Sequence, residues 1–289
     1  MKTAMMVLNY NSYELTRKLT EQVRDYQSID HIVIIDNRST DDSFEKLLGL
    51  ADSKIHVIRT DENGGYAKGN NFGLRYAREH FNPDFFIMAN PDILFSEEVV
   101  RGILEQFTEN DTIGSCLMRL NGTIDLRMTA WRFPSYGKVL KETSFVASSL
   151  FKNRSDYAHE LEKGVKHYVE VISGAFFIIR ADRFFELGLF DERTFLFYEE
   201  NILCTKVRAR GEGVFVISSL YYDHIHGGSI GKVPNDVRKF MVVQNSARVY
   251  LEEALKVSKP QLRFFDLMVA WGKGEIAAKS LMKKVIGRD

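Results

Sequence analysis

Four apolar runs in the first third of the chain each end in a short polar cluster, and a helical pattern follows each one. Thr3 to Leu8 closes in Asn9-Tyr10-Asn11-Ser12, and His31 to Ile35 in Asp36-Asn37. Lys54 to Thr60 closes in Asp61-Glu62-Asn63-Gly64-Gly65, and Phe85 to Ala89 in Asn90-Pro91-Asp92. Ser12 is placed to cap a helix running to about Tyr26, with Leu15, Leu19 and Val23 along one face. Asp41 or Asp42 starts a second helix through Phe44, Leu47 and Leu48; a third spans about Lys68 to His80, and a fourth Ser96 to Phe107. Such alternation predicts a mostly parallel sheet with helices on both faces. In open sheets of that kind ligands bind beyond the carboxyl ends of the strands. Asn11, Asp36, Asn63 and Asp92 all fall at that edge.

Asn90-Pro91-Asp92 is the sharpest of these endings. Pro91 fixes its own φ and pushes Asn90 towards an extended conformation, so Asp92 is held in place. An exposed, fixed carboxylate there suits a divalent cation bridging two phosphates. An ordinary Asx-Pro turn is the alternative. A dinucleotide-binding dehydrogenase would need G-x-G-x-x-G straight after the first strand. That strand is followed by no glycine; Gly64, Gly65 and Gly69 come after the third strand with another spacing, and no P-loop is present.

Composition narrows the partners. With 289 residues and 45% hydrophobic content the chain can bury one large core, or one core and a small appendage. Lys+Arg and Asp+Glu balance at 39 each, so no overall field draws the protein to nucleic acid. Cys116 and Cys204 lack CxxC spacing, which with no signal peptide points to a reducing, cytoplasmic setting. No apolar run reaches the ~18 residues of a membrane span.

In the second half, Ile113 to Leu120 reads as a strand and Asn121-Gly122 as a tight turn. Asp125 to about Lys166 is too long for a quiet connection, and predicts a binding loop or lid with short helices. Tyr168 to Arg180 is apolar but interrupted by Ser173-Gly174-Ala175, where small residues let a ligand approach the backbone. Glu199 and Glu200 open a helix that runs through Leu203 and Val207 to Gly211. Carboxylates are favoured there by the helix dipole alone, and one of the two can equally lean into a cleft as a general base. Neighbouring helical residues diverge around the axis, so a single base is expected. Gly213 to Tyr222 is strand-like and leads into His224-Ile225-His226-Gly227-Gly228-Ser229, where a histidine can serve structure, a metal or a phosphate.

Together these segments resemble the inverting, GT-A-fold enzymes of glycosyltransferase family 2, and within it the bacterial rhamnosyltransferase-like branch. The match runs through Val7 to Ser12, Ile35 to Ser43, Asn63 to Gly73, Asn90-Pro91-Asp92, Ser173-Gly174-Ala175, Phe190-Asp191-Glu192 and Phe197 to Leu203. His224 with Gly227 and Ser229 completes it over roughly residues 3–250.

The resemblance implies a GT-A domain over 1–230, with a nucleotide-binding half (1–110) and an acceptor and catalytic half (111–230), followed by a helical extension over 231–289. It implies that Asp36 reads the nucleotide base, with Asn9, Asn11 and the Asn63, Gly65, Lys68 and Asn71 loop around base and ribose. Asn90 and Asp92 stand at the DXD motif, Asp92 holding Mg²⁺ or Mn²⁺ with His224 near the metal and the leaving phosphate. Ser173 and Gly174 lie by the donor sugar. Glu200 stands at the catalytic base, with Glu199 beside it. Many members carry Asp in place of Asn90 and Glu200, and a second Asp in place of Ile202. The implied partners are a dTDP-, UDP- or GDP-linked sugar, with rhamnose a candidate, and a glycan or lipid-linked glycan acceptor of bacterial surface polysaccharide synthesis. A catalytically impaired nucleotide-binding or interaction module is the alternative. Residues 260–288 mix Leu262, Phe265 and Trp271 with Arg263, Lys273, Lys279, Lys283, Lys284 and Arg288. That pattern suits either a peripheral contact with the inner face of the membrane or packing on the domain.

Overall fold

Because central parallel strands are covered on both faces, they need apolar side chains pointing both ways. Strands β1 (Thr3–Asn9), β2 (His31–Asp36), β3 (Ile55–Arg59) and β4 (Phe85–Ala89) meet that need, and they pair in parallel in the order β3-β2-β1-β4. The structure is a computed structural model, which describes residues 1–144, 157, 160–161, 165–225 and 236–285, with side chains in the last helix to residue 279. Between these strands run α1 (Tyr13–Val23), α2 (Ser43–Leu48) and α3 (Gly65–His80), and after them β5 (Ile93–Leu94) and α4 (Glu97–Glu105).

The second half completes the sheet and makes it mixed. Its elements are β6 (Asp111–Leu120), β7 (Thr123–Ile124), α5 (Leu126–Thr129), β8 (Ala130–Trp131), α6 (Tyr136–Lys141), β9 (Lys166–Tyr168), β10 (Val171–Ile172) and β11 (Phe176–Arg180). Then come α7 (Ala181–Glu186), α8 (Glu199–Ala209) and β12 (Gly213–His224). The sheet order is β3-β2-β1-β4-β11-β6-β12-β5, with β11 antiparallel to both its neighbours. β12 runs parallel to β6 in two stretches, with a register shift between Ile217 and Tyr221. Beyond that shift its end lies antiparallel to β5, pairing His224 with Ile93. The β6–β7 hairpin turns at Asn121 and Gly122, both left-handed at φ 50° and 79°, as a two-residue hairpin of this kind requires.

Helices cover both faces. α1, α2 and α4 bury Leu19, Val23, Leu47, Val99 and Ile103 on one side. α3, α7 and α8 bury Leu74, Ala77, Phe184, Leu203 and Val207 on the other. A third cluster joins the C-terminal helices α9 (Asp236–Glu253) and α10 (Lys259–Val285) to the domain, through Tyr250, Leu251, Phe265 and Val269 against Val139, Tyr198 and Ile202. No helix among the described residues is long and apolar enough to cross a membrane.

Several boundaries differ from the sequence reading. α3 begins at Gly65, three residues before the expected Lys68, because Gly65 adopts φ +84° and turns the chain directly into the helix. α1 stops at Val23, short of Tyr26, and Ser12 does not cap it: its hydroxyl donates to Tyr10 O (3.0 Å). The expected short helices after Asp125 are α5 and α6, capped by the side chains of Asp125 and Ser135. Much of the remaining lid segment, and His226-Gly227-Gly228-Ser229, lie outside the described residues.

Docking of α10 depends on closeness at Gly272. A Cβ there would lie 1.8 Å from the backbone oxygen of Thr143, so Gly272→Ala must push the helix away. Overpacking of this sort costs about 1–3 kcal/mol, so a lower Tm in thermal melts, with faster proteolysis of the C-terminal helices, is the expected result.

Candidate active site

The polar strand ends form one hydrogen-bonded edge. Asn9 is fully buried; its amide donates to Asp36 Oδ2 and Ser39 Oγ (both 3.1 Å), and its oxygen accepts from Thr16 (2.8 Å). Asp36 is equally buried, accepts from the Ser39 backbone (3.1 Å) and lies 3.1 Å from Arg59 Nε. Its carboxylate therefore braces the loop after β2. Asn11, left-handed at φ 49°, ties that loop to β1 by exchanging two hydrogen bonds with Thr40 (2.9 and 2.8 Å). Asn63 accepts from Asn37 (3.0 Å) and from the Gly65 backbone (3.1 Å), which shapes the start of α3. Lys68 is exposed and paired with Glu62 at 2.6 Å.

Asn71 is not brought to this edge. It is buried on the far side of α3, donating to Phe190 O and Glu192 Oε1 (both 3.0 Å) and accepting from Phe190 N (3.2 Å). Those bonds anchor the loop that carries the acidic pair, a role the sequence did not disclose.

Asp92 was expected to be exposed, but it is only 5% exposed. β12 closes over it: Ile225 N donates to Asp92 O (2.8 Å), and His224 Nε2 lies 3.3 Å from Asp92 Oδ1. That oxygen is buried without a hydrogen-bond partner, a state that is costly unless a ligand satisfies it. One carboxylate and one imidazole are the protein donors here, since no cluster of three metal-binding side chains occurs among the described residues. The pair fits a hard divalent cation whose remaining positions are filled by ligand oxygens.

Ser173-Gly174-Ala175 connects this pair to the acids. Asn90 N donates to Ala175 O (2.9 Å), and Tyr66 OH donates to Gly174 O (3.0 Å). A Cβ on Gly174 would lie 3.8 Å from Glu200 Oε2. Glu200 is partly open to solvent, whereas Glu199 is 3% exposed with Oε1 unpartnered. Burial raises the Glu200 carboxyl to about 7. Burial, then the charge of Glu200, pushes Glu199 well above the ordinary carboxylate range. Of the two, Glu200 has both access and a pKa near neutrality, as a general base needs. Ile202 is 2% exposed and packs with the C-terminal helices, so an acid at its position would be buried.

The turn before α8 is strained: Phe197 and Tyr198 are both left-handed, at φ 75° and 67°. Tyr198 is held there by its hydroxyl on Glu142 (3.0 Å) and by its ring against Tyr250, 5.3 Å between centroids. Ser246 fixes Leu196 O at 2.9 Å. Trp131 Nε1 donates to Asn201 Oδ1 (2.9 Å), which ties β8 to the same helix.

Comparison with known proteins places this arrangement. Residues 5–182 match the model of glycosyl transferase family 2, and the chain belongs to that family. It is 27% identical over 252 residues to the low-salt glycan biosynthesis hexosyltransferase Agl10 of Haloferax volcanii, covering 86% of this chain and 72% of that one. Its fold is similar to that of the mannosyltransferase PcManGT from Pyrobaculum calidifontis, solved with GDP-Man and Mn²⁺ (TM-score 0.60, 14% identity, 98% of this chain and 75% of that one). It is also similar to GalNAc-T7 with UDP, GalNAc and Mn²⁺ (TM-score 0.58, 15% identity, 96% and 57%). The fold is GT-A: a mixed sheet flanked by helices, with a C-terminal helical part.

A carboxyl raised by folding favours the folded state most below its unfolded pKa, and that contribution is lost as pH rises through the folded value. For Glu200 the window runs from about 4.5 to about 7. Glu200→Gln removes the penalty, on the order of 1–3 kcal/mol. Thermal melts should show the variant several degrees more stable than the parent at pH 8, with the difference closing below pH 4.5.

Proposed function

We propose that this protein is an inverting transferase that moves a hexose from a nucleotide-diphospho-sugar to a hydroxyl of a glycan or lipid-linked glycan. The observation that carries the reading is the solvent-accessible Glu200, with its pKa of about 7, next to the segment that also backs the Asp92–His224 pair. The β1–α3 edge is the nucleotide side: the braced loops after β2 and β3 supply backbone and amide groups for base and ribose. The donor nucleotide is dTDP, UDP or GDP. Rhamnose is the sugar the sequence resemblance suggests; the hexosyltransferase name of the Haloferax relative and the GDP-Man of the Pyrobaculum structure favour an ordinary hexose as a second candidate.

In the proposed reaction Glu200 takes the proton of the acceptor hydroxyl. The acceptor oxygen then bonds to the anomeric carbon from the face opposite the diphosphate. The bond from that carbon to the diphosphate oxygen breaks, its electron pair leaves with the diphosphate, and the configuration inverts. Asp92 and His224 would hold Mg²⁺ or Mn²⁺, which supplies positive charge to the leaving diphosphate. Mn²⁺ in two structures of similar fold supports this assignment. Gly174, with no side chain, leaves Glu200 room to meet the acceptor. The C-terminal helices form an extension of the catalytic domain, and the enzyme works at the cytoplasmic side, where lipid-linked acceptors are presented.

Glu200→Gln should reduce kcat by about 10²–10⁴-fold while nucleotide binding persists. A variant with normal turnover would remove Glu200 from the role, and a parent protein that binds nucleotide but shows no transfer would support the binding-module alternative. The parent's kcat/KM should rise with pH and level off above about 7, because the base must be ionised. Calorimetry with dTDP, UDP and GDP, each with and without Mn²⁺, tests the donor site. Asp92→Asn should abolish the gain from Mn²⁺, and an absence of binding by all three nucleotides would refute the reading.

A further inference from the structure

The last helix, α10, is apolar on two opposite sides. Phe265, Val269 and Gly272 (i, i+4, i+7) face the protein: the first two are 1% and 9% exposed, and Gly272 lies against Thr143. Phe264, Leu267 and Trp271 (i, i+3, i+7) form a second stripe on the far side and are 51%, 68% and 66% exposed. A helix on a protein surface needs one apolar stripe, and a second, opposite one marks a helix that sits between two bodies. Single exposed leucines are ordinary, but three large side chains in one row are not.

Charge around the stripe identifies the second body. Lys256 and Lys259, just before and at the start of the helix, and Arg263, beside the stripe, are exposed. Of the acids on the helix, Asp266 is paired with Arg248 at 3.0 Å. Glu275 accepts from Trp271 Nε1 (2.8 Å) and Ser144 Oγ (3.1 Å), and this one acid is outnumbered by the three cations. The surface is therefore locally cationic on a chain whose formal net charge is +0.

We infer that this outer stripe of α10 docks on an anionic lipid bilayer. Phe264, Leu267 and Trp271 enter the boundary between headgroups and acyl chains, while the lysines and Arg263 lie along the headgroups with their stems against the apolar edge. Trp271 suits that depth, an apolar ring with one polar N–H already satisfied. A second copy of the chain fits less well. Continuing the row reaches Gly274 and Ala278, too small to serve as knobs in a helix pair, and three side chains fall short of the ~1,200 Å² a stable interface buries. The inference rests on the transferase reading only for what waits at the membrane, not for the docking.

The test is flotation of the full chain with vesicles of phosphatidylcholine alone and of phosphatidylcholine with about 30% phosphatidylglycerol, a surface on which each Lys or Arg contributes roughly 1 kcal/mol. Expected is binding at least about tenfold stronger to the anionic vesicles, weakened by high salt. The combined variant Phe264→Ser, Leu267→Ser, Trp271→Ser should lose at least about tenfold of it. An unchanged circular dichroism spectrum and Tm show that this variant is folded; if it is not, Trp271→Ser alone, with its smaller loss, carries the comparison. Equal flotation of variant and parent would overturn the inference. So would a parent that ignores anionic vesicles but is a dimer by light scattering, broken by the same substitutions. Vesicle binding with no nucleotide binding in calorimetry would refute the transferase reading and leave the docking surface standing.

Discussion

The position of the acidic pair depends on one hydrogen bond between the halves of the domain, from Tyr66 N to Phe195 O (2.7 Å). It forms because Gly65 lets the two backbones touch: a Cβ there would lie 2.2 Å from Phe195 O. The same helix holds the same loop again through Asn71, and through Arg75 on Glu192 (2.8 Å). The start of α3 thus both closes the nucleotide edge and carries the loop between α7 and α8 that presents Glu199 and Glu200.

That support is needed because the loop stores conflict. Two successive residues in left-handed backbone cost on the order of 1–2 kcal/mol each, and burial of the carboxyl of Glu199, with Oε1 unpartnered, adds to it. Sites keep such strain only where the surroundings over-determine the geometry. Here the surroundings come from three directions: α3 beneath, the Glu142–Tyr198–Tyr250 contacts from α6 and α9, and Trp131 from β8. The C-terminal helices are therefore part of the frame of the acidic pair, although they lie far from it in sequence.

The nucleotide half was largely legible because its signals are local. Each strand and its polar ending lie within a few residues, and periodicity fixes which faces are buried. The hidden parts depended on contacts distant in sequence. Asn71 sits in a motif beside Gly65 and Lys68, yet it lies on the other side of α3 and bonds to Phe190 and Glu192. The Asp92 carboxylate looked exposed because the strand that covers it arrives more than a hundred residues later. The divergence of Glu199 and Glu200, by contrast, follows from helix geometry alone, while which of them is open to solvent depends on the packing of Ile202 and Tyr198, which the sequence does not display.

The register shift in β12 lets the strand restart its alternation before it reaches the site. Ile217 lies opposite Cys116 and Tyr221 opposite Leu117, so Ser218, Ser219 and Leu220 are surplus to the ladder. Leu220 fills the space above Gly102 in α4, which pins the surplus in place. Unbroken alternation would put Ile217 and Tyr222, five residues apart, on opposite faces, yet both lie in one core cluster. The outer stretch therefore takes its faces from its neighbours, and His224 meets Asp92 because it pairs with Leu120 and Ile93, whatever its distance in sequence from the inner stretch. A lineage that gains or loses residues at this bulge can absorb them there with the histidine left in place, so ladder pairing is a better guide to its equivalent in relatives than its place in the sequence.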